Sequence, residues 1–519
     1  MTDKTEGPSR RALLLNGGAL VALFGMAHLV LRGDAAFAQD AAPATEPFAA
    51  KDVLKLAEDL AARDFERPQI DVPEPFNALT VEQYRDIRFR NEQAIWQSER
   101  LGVEVHLLPR GWIYDVPVEI RIVEDGQARR LSADSRMFTF GPAIPSAPEA
   151  APFGFSGFRL VGPLNRADRV DEFAVFQGAS YFRAAGSGQV HGLWARGLAV
   201  NTAQPAGEEF PIFRAFWIEK PRVPGGEVTV HALLDSPSVT GAFRFTISQG
   251  ASTQMMVDAV LYARRSLKHF GLAPLTSMFL KGRAQHRLNG DLRPAVHNSD
   301  GLAILNGRGE RIWRPITNPR TLQISAFIDK SPRGFGLIQR DRDFDTFDDL
   351  NARFERRPSL WVEPRGNWGD GYVELIEIPS EEEIHDNIVA YWTPANPLEP
   401  GKPFPLSYKL HWGSDVPLAA SGGRVVRTSA RPSKKEKWVR FAIDFAGPAL
   451  TETAELPAID LTASAGTVHD ARVQPHPAIG GVRVTFSFDT GGSEMSEMRL
   501  ALKRGDATIS ETWLYRWTA

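Results

Sequence analysis

The sequence contains no cysteine. That absence excludes a disulfide scaffold, thiolate zinc sites, cysteine-ligated iron–sulfur clusters and a cysteine nucleophile. Net charge is nearly absent as well. The 60 Lys and Arg against 63 Asp and Glu leave −3, which gives no global electrostatic case for binding nucleic acid or an anionic membrane. Beyond residue 38 no uncharged apolar run reaches the roughly 18 residues that a bilayer span needs. The motifs H-E-x-x-H, G-x-x-x-x-G-K-[ST] and G-x-S-x-G are missing, as are fixed-period repeats and low-complexity tracts. The 11 histidines never pair tightly at ligand spacing, so no structural metal is expected. Gly186-Ser187-Gly188-Gln189-Val190-His191-Gly192 misses a nucleotide-binding G-x-G-x-x-G by one residue, and its glycines read as turn residues.

What the chain does hold is material for a large core. Of its 519 residues 43% are hydrophobic, with 31 Phe and 12 Trp among the aromatics. This composition excludes wholesale disorder, and the length predicts two domains, with three as the alternative. Residues 1–38 read as an address. Arg10-Arg11 precede an apolar run that starts at Ala12, and Ala36-Phe37-Ala38 is an A-x-A cleavage pattern with Gln39 as the mature start. Paired arginines suggest the twin-arginine export route. An uncleaved anchor helix is the alternative, weakened by Asn16, Gly17, Gly18 and His28. The mature protein is therefore expected to be soluble and periplasmic.

Val53, Leu56, Ala57 and Leu60 recur at helical spacing, and Leu79-Thr80 with Gln83 looks like a staple and capping box. From Val103 the period becomes two. Val118, Ile120 and Ile122 run into Glu124-Asp125-Gly126, a tight hairpin turn, and short strands are predicted at 172–182, 190–200, 227–234, 242–247, 255–262, 322–328 and 373–378. This series predicts a mainly β protein built on a large sandwich. Four prolines and a glycine between Trp392 and Pro403 mark a boundary. The expected division is a larger domain over 39–395, a linker over 396–404 and a second domain over 405–519. In the latter Val482, Val484, Phe486 and Phe488 share one strand face, 438–445 and 512–517 also read as strands, and the size suits an immunoglobulin-like sandwich. Residues 433–437 read as a solvated loop.

The stretch from Thr276 to Trp392 interleaves Trp313, Trp361, Trp368 and Trp392 with dense charge. A sugar site needs flat rings for C–H faces and fixed polar forks for hydroxyls. Glycoside hydrolysis usually adds two carboxyls, and Asp300, Asp341, Asp343, Glu374, Glu377 and Asp386 are on offer. Each has a plainer reading. Residues 340–349 would form a partly solvated loop whose Arg and Asp pair among themselves. Glu374 and Glu377 would face solvent, and a single tryptophan is more often core than platform. Asp386 stands out by parity. In a strand beginning there, Asp386, Ile388, Ala390 and Trp392 share a face, and a carboxyl beside apolar surface gains the raised pKa of a general acid.

Five segments then occur in order: Gln177-Gly178-Ala179-Ser180-Tyr181-Phe182-Arg183, Glu208-Glu209-Phe210-Pro211, Ala273-Pro274-Leu275-Thr276-Ser277-Met278-Phe279, Gly334-Phe335-Gly336-Leu337 and Asp386-Asn387-Ile388-Val389-Ala390-Tyr391-Trp392. Together they resemble the periplasmic glucan biosynthesis protein G/D family, from about Phe48 to Trp517. The resemblance implies a large N-terminal β-sandwich of the galactose-mutarotase-like supersandwich type joined to an immunoglobulin-like domain. It also implies work on osmoregulated periplasmic glucans with a β-1,2-linked glucose backbone, as inverting β-1,2-glucanases or as ring-closing transglycosylases.

The same resemblance makes Asp386 the general acid. The family's second catalytic Asp lies in a segment reading H-D-S-[DN]-G-L. Here it reads His297-Asn298-Ser299-Asp300-Gly301-Leu302, and an amide cannot accept a proton as a carboxylate does. Three readings stay open. Asp300 takes over, through a turn or ~6–7 Å further along a strand; or water is poorly activated and a sugar hydroxyl attacks; or catalysis is lost and glucan binding remains. Trp313, Arg340, Tyr391 and Trp392 are the expected sugar contacts. The chemistry requires no cofactor. The expected partner is β-1,2-glucan, with an inner-membrane glucan synthase as a further candidate, and with neither nucleic acid nor stable membrane insertion after signal cleavage.

Overall fold

Strict alternation builds the molecule. The strand Thr253–Ala263 buries Thr253, Met255, Val257, Ala259, Leu261 and Ala263, because successive side chains of a strand point to opposite faces. The computed structural model, which describes residues 45–72, 74, 76–144, 154–282, 291–418, 422–433, 438–451 and 455–519, assembles such strands into a 16-stranded and a 10-stranded sheet over one large core. The expected signal segment and residues 434–437 of the expected loop lie outside the described residues. The mainly β sandwich read from the sequence is the architecture found.

At the centre of the core Phe158, Phe176 and Phe182 are register partners on three adjacent strands. Their rings stack at 5.0 and 5.4 Å, close to the spacing of neighbouring strands. From the opposite sheet Phe216 and Phe245 meet Phe176 edge-on at 5.6 and 5.1 Å. Each such pair adds about 0.5–1.5 kcal/mol beyond burial. The local signals also hold. Helix Ala50–Ala61 packs Val53 and Ala57 on the outer side of the larger sheet. Thr80 and Gln83 close a reciprocal capping box, and Asp125 and Gly126 take positive φ between Glu119–Glu124 and Gln127–Arg130.

The boundary near residue 400 needs correcting. Strand Phe404–Gly413 pairs with both Thr253–Ala263 and Ser359–Pro364 in the middle of the larger sheet. Its Leu406, Tyr408, Leu410 and Trp412 are buried in the main core. The proline-rich connection is therefore internal to the larger unit, with Leu398 docked by reciprocal 2.9 Å backbone bonds to Leu267. Prolines end a strand because they cannot donate to a ladder, but they do not choose the sheet that the next strand joins.

Strands of the second unit begin at Arg424–Pro432. A four-stranded sheet, ordered 424–432, 438–446, 481–489 and 467–476, packs on the far end of the 16-stranded sheet. That larger sheet runs on through both units. Arg311–Pro315 pairs in parallel with the last strand, Thr512–Thr518, and Ala303, Trp313, Ile338 and Trp361 belong to the second core. Across the seam Glu511 accepts from Arg340 at 2.7 and 2.9 Å and from the Val425 amide at 2.9 Å, while Arg340 also donates to the Val425 carbonyl.

Removing one member of a buried ion pair leaves the other charge uncompensated. Glu511→Ala should destabilise the protein by about 3–5 kcal/mol, read as a lowered urea midpoint by tryptophan fluorescence. A midpoint equal to wild type would show that the seam does not depend on this pair.

Candidate active site

The outer face of the 10-stranded sheet carries charged groups and rings beside an apolar cluster of Ile376, Val389 and Tyr391, and the phenylalanine row is the cause. With Phe158, Phe176 and Phe182 turned inward, their neighbours Arg159, Val175 and Arg183 turn outward as register partners. Trp194, Thr276 and Val389 continue that face. The Arg183 guanidinium lies 4.4 Å over the Trp194 ring, and Tyr181 meets the same ring edge-on at 6.3 Å. Burial alone would raise the Glu172 carboxyl, but His191 at 2.8 Å, with Arg183 and Arg159, holds it down to about 2. It is thus a fixed anion facing two guanidinium groups and an imidazole ring.

Asp386 stands half-buried at the edge of this face, two residues before strand Ile388–Pro394. Its position is set by Asn387. That side chain accepts from the Phe279 amide at 2.8 Å and donates to the carbonyls of Phe279 at 3.0 Å and Ile378 at 2.9 Å. Phe279 is in turn the register partner of His297, whose ring stacks on it at 5.1 Å. Burial pushes His297 down to about 4, so the residue before Asn298 is a neutral packing group.

Asn298 is buried, and its side-chain oxygen accepts from Arg357. Arg357 lies 4.2 Å over the Phe354 ring. Burial pushes this guanidinium down to about 10, opposed by the carboxylates of Glu383, Asp386 and Asp349. Tyr114, on a turn closed by the Gly111 amide at 3.0 Å, feels the same acid. Burial raises its phenol, Arg183 opposes that rise and Asp386 adds to it. Trp112 on this turn has φ 55°, a backbone conformation rare for a bulky residue.

Arg357 thus donates to Asn298 and feels the charge of Asp386. Asp300 belongs elsewhere. Its Oδ2 accepts from the amides of Arg340 and Asp341, each at 3.1 Å, while Oδ1 is buried without a partner. Burial raises this carboxyl to about 6, against the pull of Arg340. It sits at the seam between the two units.

The expected sugar contacts are corrected. Trp392 is fully buried between the sheets: the parity of Ile388, Ala390 and Trp392 holds, but the shared face is the core. Trp313 is buried in the second core beneath Arg340, which lies 3.5 Å over its ring and is committed to Glu511. Tyr391 does lie on the outer face, but is only 5% exposed and packs where Gly271 lacks a side chain. Nor do the Arg and Asp of residues 340–349 pair with one another among the described residues. Arg342 donates to the carbonyls of Glu355 and Arg357, and Asp341 accepts from Thr346. Glu374 and Glu377 are buried, the latter held by Arg314 and Thr317.

Tyr114, Trp194 and Arg357 were not legible in the sequence, whereas Arg183 lay in a quoted segment and could have been assigned by parity from Phe182. Among the described residues no group of three His, Asp or Glu could hold a metal ion.

Partly exposed rings beside fixed guanidinium forks and a carboxylate form the arrangement that carbohydrate recognition requires. The comparisons with known proteins agree with that class. A family model described as "Periplasmic glucan biosynthesis protein, MdoG" matches residues 48–517. Glucans biosynthesis protein G of Vibrio cholerae is 47% identical over 472 residues, covering 90% of this chain and 86% of the relative. The protein of that name from Rhodopseudomonas palustris is 47% identical over 470 residues, covering 90% and 92%. That from Shewanella frigidimarina is 46% identical over 477 residues, covering 91% and 85%. The chain belongs to the periplasmic glucan biosynthesis protein family. Family membership implies a periplasmic location, and among the described residues no helix is long and apolar enough to cross a membrane.

The Asp300 environment has a pH signature. Its folded pKa of about 6 exceeds the ordinary 3.8, so its stabilising contribution is full below about pH 4 and is lost as pH rises through about 6. In Asp300→Asn the amide oxygen can keep both backbone donors and the NH2 replaces the unpartnered oxygen. Melting temperatures of variant and wild type should converge near pH 4, with the variant higher above pH 7. A wild-type advantage at alkaline pH would refute the assigned environment.

Proposed function

We propose that this protein cleaves or rearranges the β-1,2-glucan backbone in periplasmic glucan biosynthesis, with Asp386 as general acid. The observation that carries the proposal is the placement of Asp386: clamped by Asn387, it borders a sheet face of rings and forks and is coupled to Tyr114 and Arg357. Asp386 would protonate the leaving glycosidic oxygen as the C–O bond breaks. A hydroxyl would attack the anomeric carbon from the opposite side, which inverts it. Trp194, Arg183 and Tyr114 take the place of Trp313, Arg340, Tyr391 and Trp392 as proposed sugar contacts. Twin-arginine export and a synthase partner at the inner membrane remain part of this proposal.

A second reading has its own observation. The Asn298 oxygen is already occupied by Arg357, and an amide cannot take the proton of the nucleophile. That proton would have to leave through a relay of water or sugar hydroxyls. Weak activation of water favours attack by a sugar hydroxyl, which makes the protein a transglycosylase giving cyclic or longer products.

Mass spectrometry of linear β-1,2-glucan incubated with the mature protein separates these outcomes. Shorter chains indicate hydrolysis, ring-closed or longer chains indicate transfer, and binding without turnover indicates a scaffold. Asp386→Asn should lower turnover by about 10²–10⁴-fold while glucan binding persists, and wild-type rates in that variant would sink the assignment of the acid. Trp194→Ala should chiefly raise KM, since a stacking platform serves ground and transition states alike.

A further inference from the structure

The four-stranded sheet of the second unit turns Val425, Phe441, Ile443, Phe445, Val484 and Phe486 into its core. Alternation therefore sends a different set outward. Register places Arg427, Asp444, Arg483 and Gln474 in one cross-strand row, Ser429, Ala442, Thr485 and Arg472 in the next, and Arg431, Arg440, Ser487 and His469 in a third. Arg424 begins the same face. Of these six arginines, Arg483 alone forms an ion pair among the described residues, with Asp444 at 2.6 and 2.8 Å. Arg424, Arg427, Arg431, Arg440 and Arg472 are exposed. Among the described residues the other carboxylates at this face are Asp489, which accepts from the Gly491 amide at 3.0 Å, and Asp470 at the irregularity in the edge strand. The remaining titratable groups at this face among the described residues are His469 and His476, and the His476 ring contacts Arg483 at 3.4 Å.

Two features set this face apart from an ordinary solvated surface. Arg431 and Arg440 are direct register partners, a like-charge pairing that weakens a sheet and gains nothing within the fold. At one end Trp438 stacks on His469 at 5.7 Å, presenting an aromatic ring beside the arginines. Tryptophan and arginine are the residues favoured at headgroup level of a bilayer. We propose that this face docks the protein on an anionic lipid bilayer. The complementarity is one of charge and shape: a sheet spreads its cations in two dimensions with strands ~4.8 Å apart, and so meets a planar array of phosphates rather than a single ligand. The net charge of −3 over the whole chain hides this face. The proposal is independent of the catalytic reading, because the glucan-facing residues lie on the other sheet.

The mature protein would be mixed with vesicles of phosphatidylcholine alone, or of phosphatidylcholine with one third phosphatidylglycerol, and sedimented at low and at physiological salt. Binding to the anionic vesicles only, weakening with salt, is the expected result. The triple variant Arg431→Ser, Arg440→Ser, Arg472→Ser should bind about 100-fold more weakly. Relief of the like-charge pair should leave its melting temperature unchanged or higher, which separates lost docking from lost folding. Arg431→Lys with Arg440→Lys preserves charge and should preserve binding. Equal binding to neutral vesicles, no binding to anionic ones, or undiminished binding by the triple variant would overturn the proposal. So would a salt-sensitive interaction with polyglutamate alone, which would assign the face to an acidic protein.

Discussion

The stacked row of Phe158, Phe176 and Phe182 is the interaction on which the rest of the larger unit depends. It sets the register of three neighbouring strands. A slip of one residue would exchange the two faces of a strand, burying Arg159 and Arg183 and exposing the rings. The polar face exists because burying three phenyl rings is far more favourable than burying two guanidinium groups. Chemistry on the outside of the sheet is thus a consequence of packing on the inside.

Continuity of the 16-stranded sheet is the second organising fact. The last strand of the chain pairs with Arg311–Pro315, so the second unit is joined by a ladder rather than tethered by a linker. The Arg340–Glu511 pair closes the seam, with Trp313 beneath it. This explains why residues that looked suited to sugar binding serve structure instead. A sheet crossing from one core to another needs bulky groups where the cores meet, and a buried guanidinium there needs both an anion and a ring.

Around Asp386 the electrostatics are of a different kind. Guanidinium groups there are arranged against carboxylates that are only partly buried: Arg357 feels Glu383, Asp386 and Asp349, while Arg183 and the His191 ring face Glu172. Such groups hold fixed directions, which suits the recognition of hydroxyls. At the point where Asn298 meets the site, Arg357 donates to an amide oxygen rather than to a carboxylate.

Local chemistry is what the sequence determined by itself. The helix at Ala50–Ala61, the capping box at Thr80, the Asp125–Gly126 turn and the alternating strands were legible because each rests on residues within a few positions of one another. The shared face of Ile388, Ala390 and Trp392 was legible for the same reason, as was that of Val482, Val484, Phe486 and Phe488. Tertiary structure alone decided the partners. Arg340 meets Glu511 across 171 positions, and Arg357 meets Asn298 across 59. No pattern of spacing encodes these contacts, because the order of strands in a sheet is set by which apolar faces can be buried together. Period two told that Trp392 lies on one face and Tyr391 on the other; only the stacking of the sheets decided which of those faces is core.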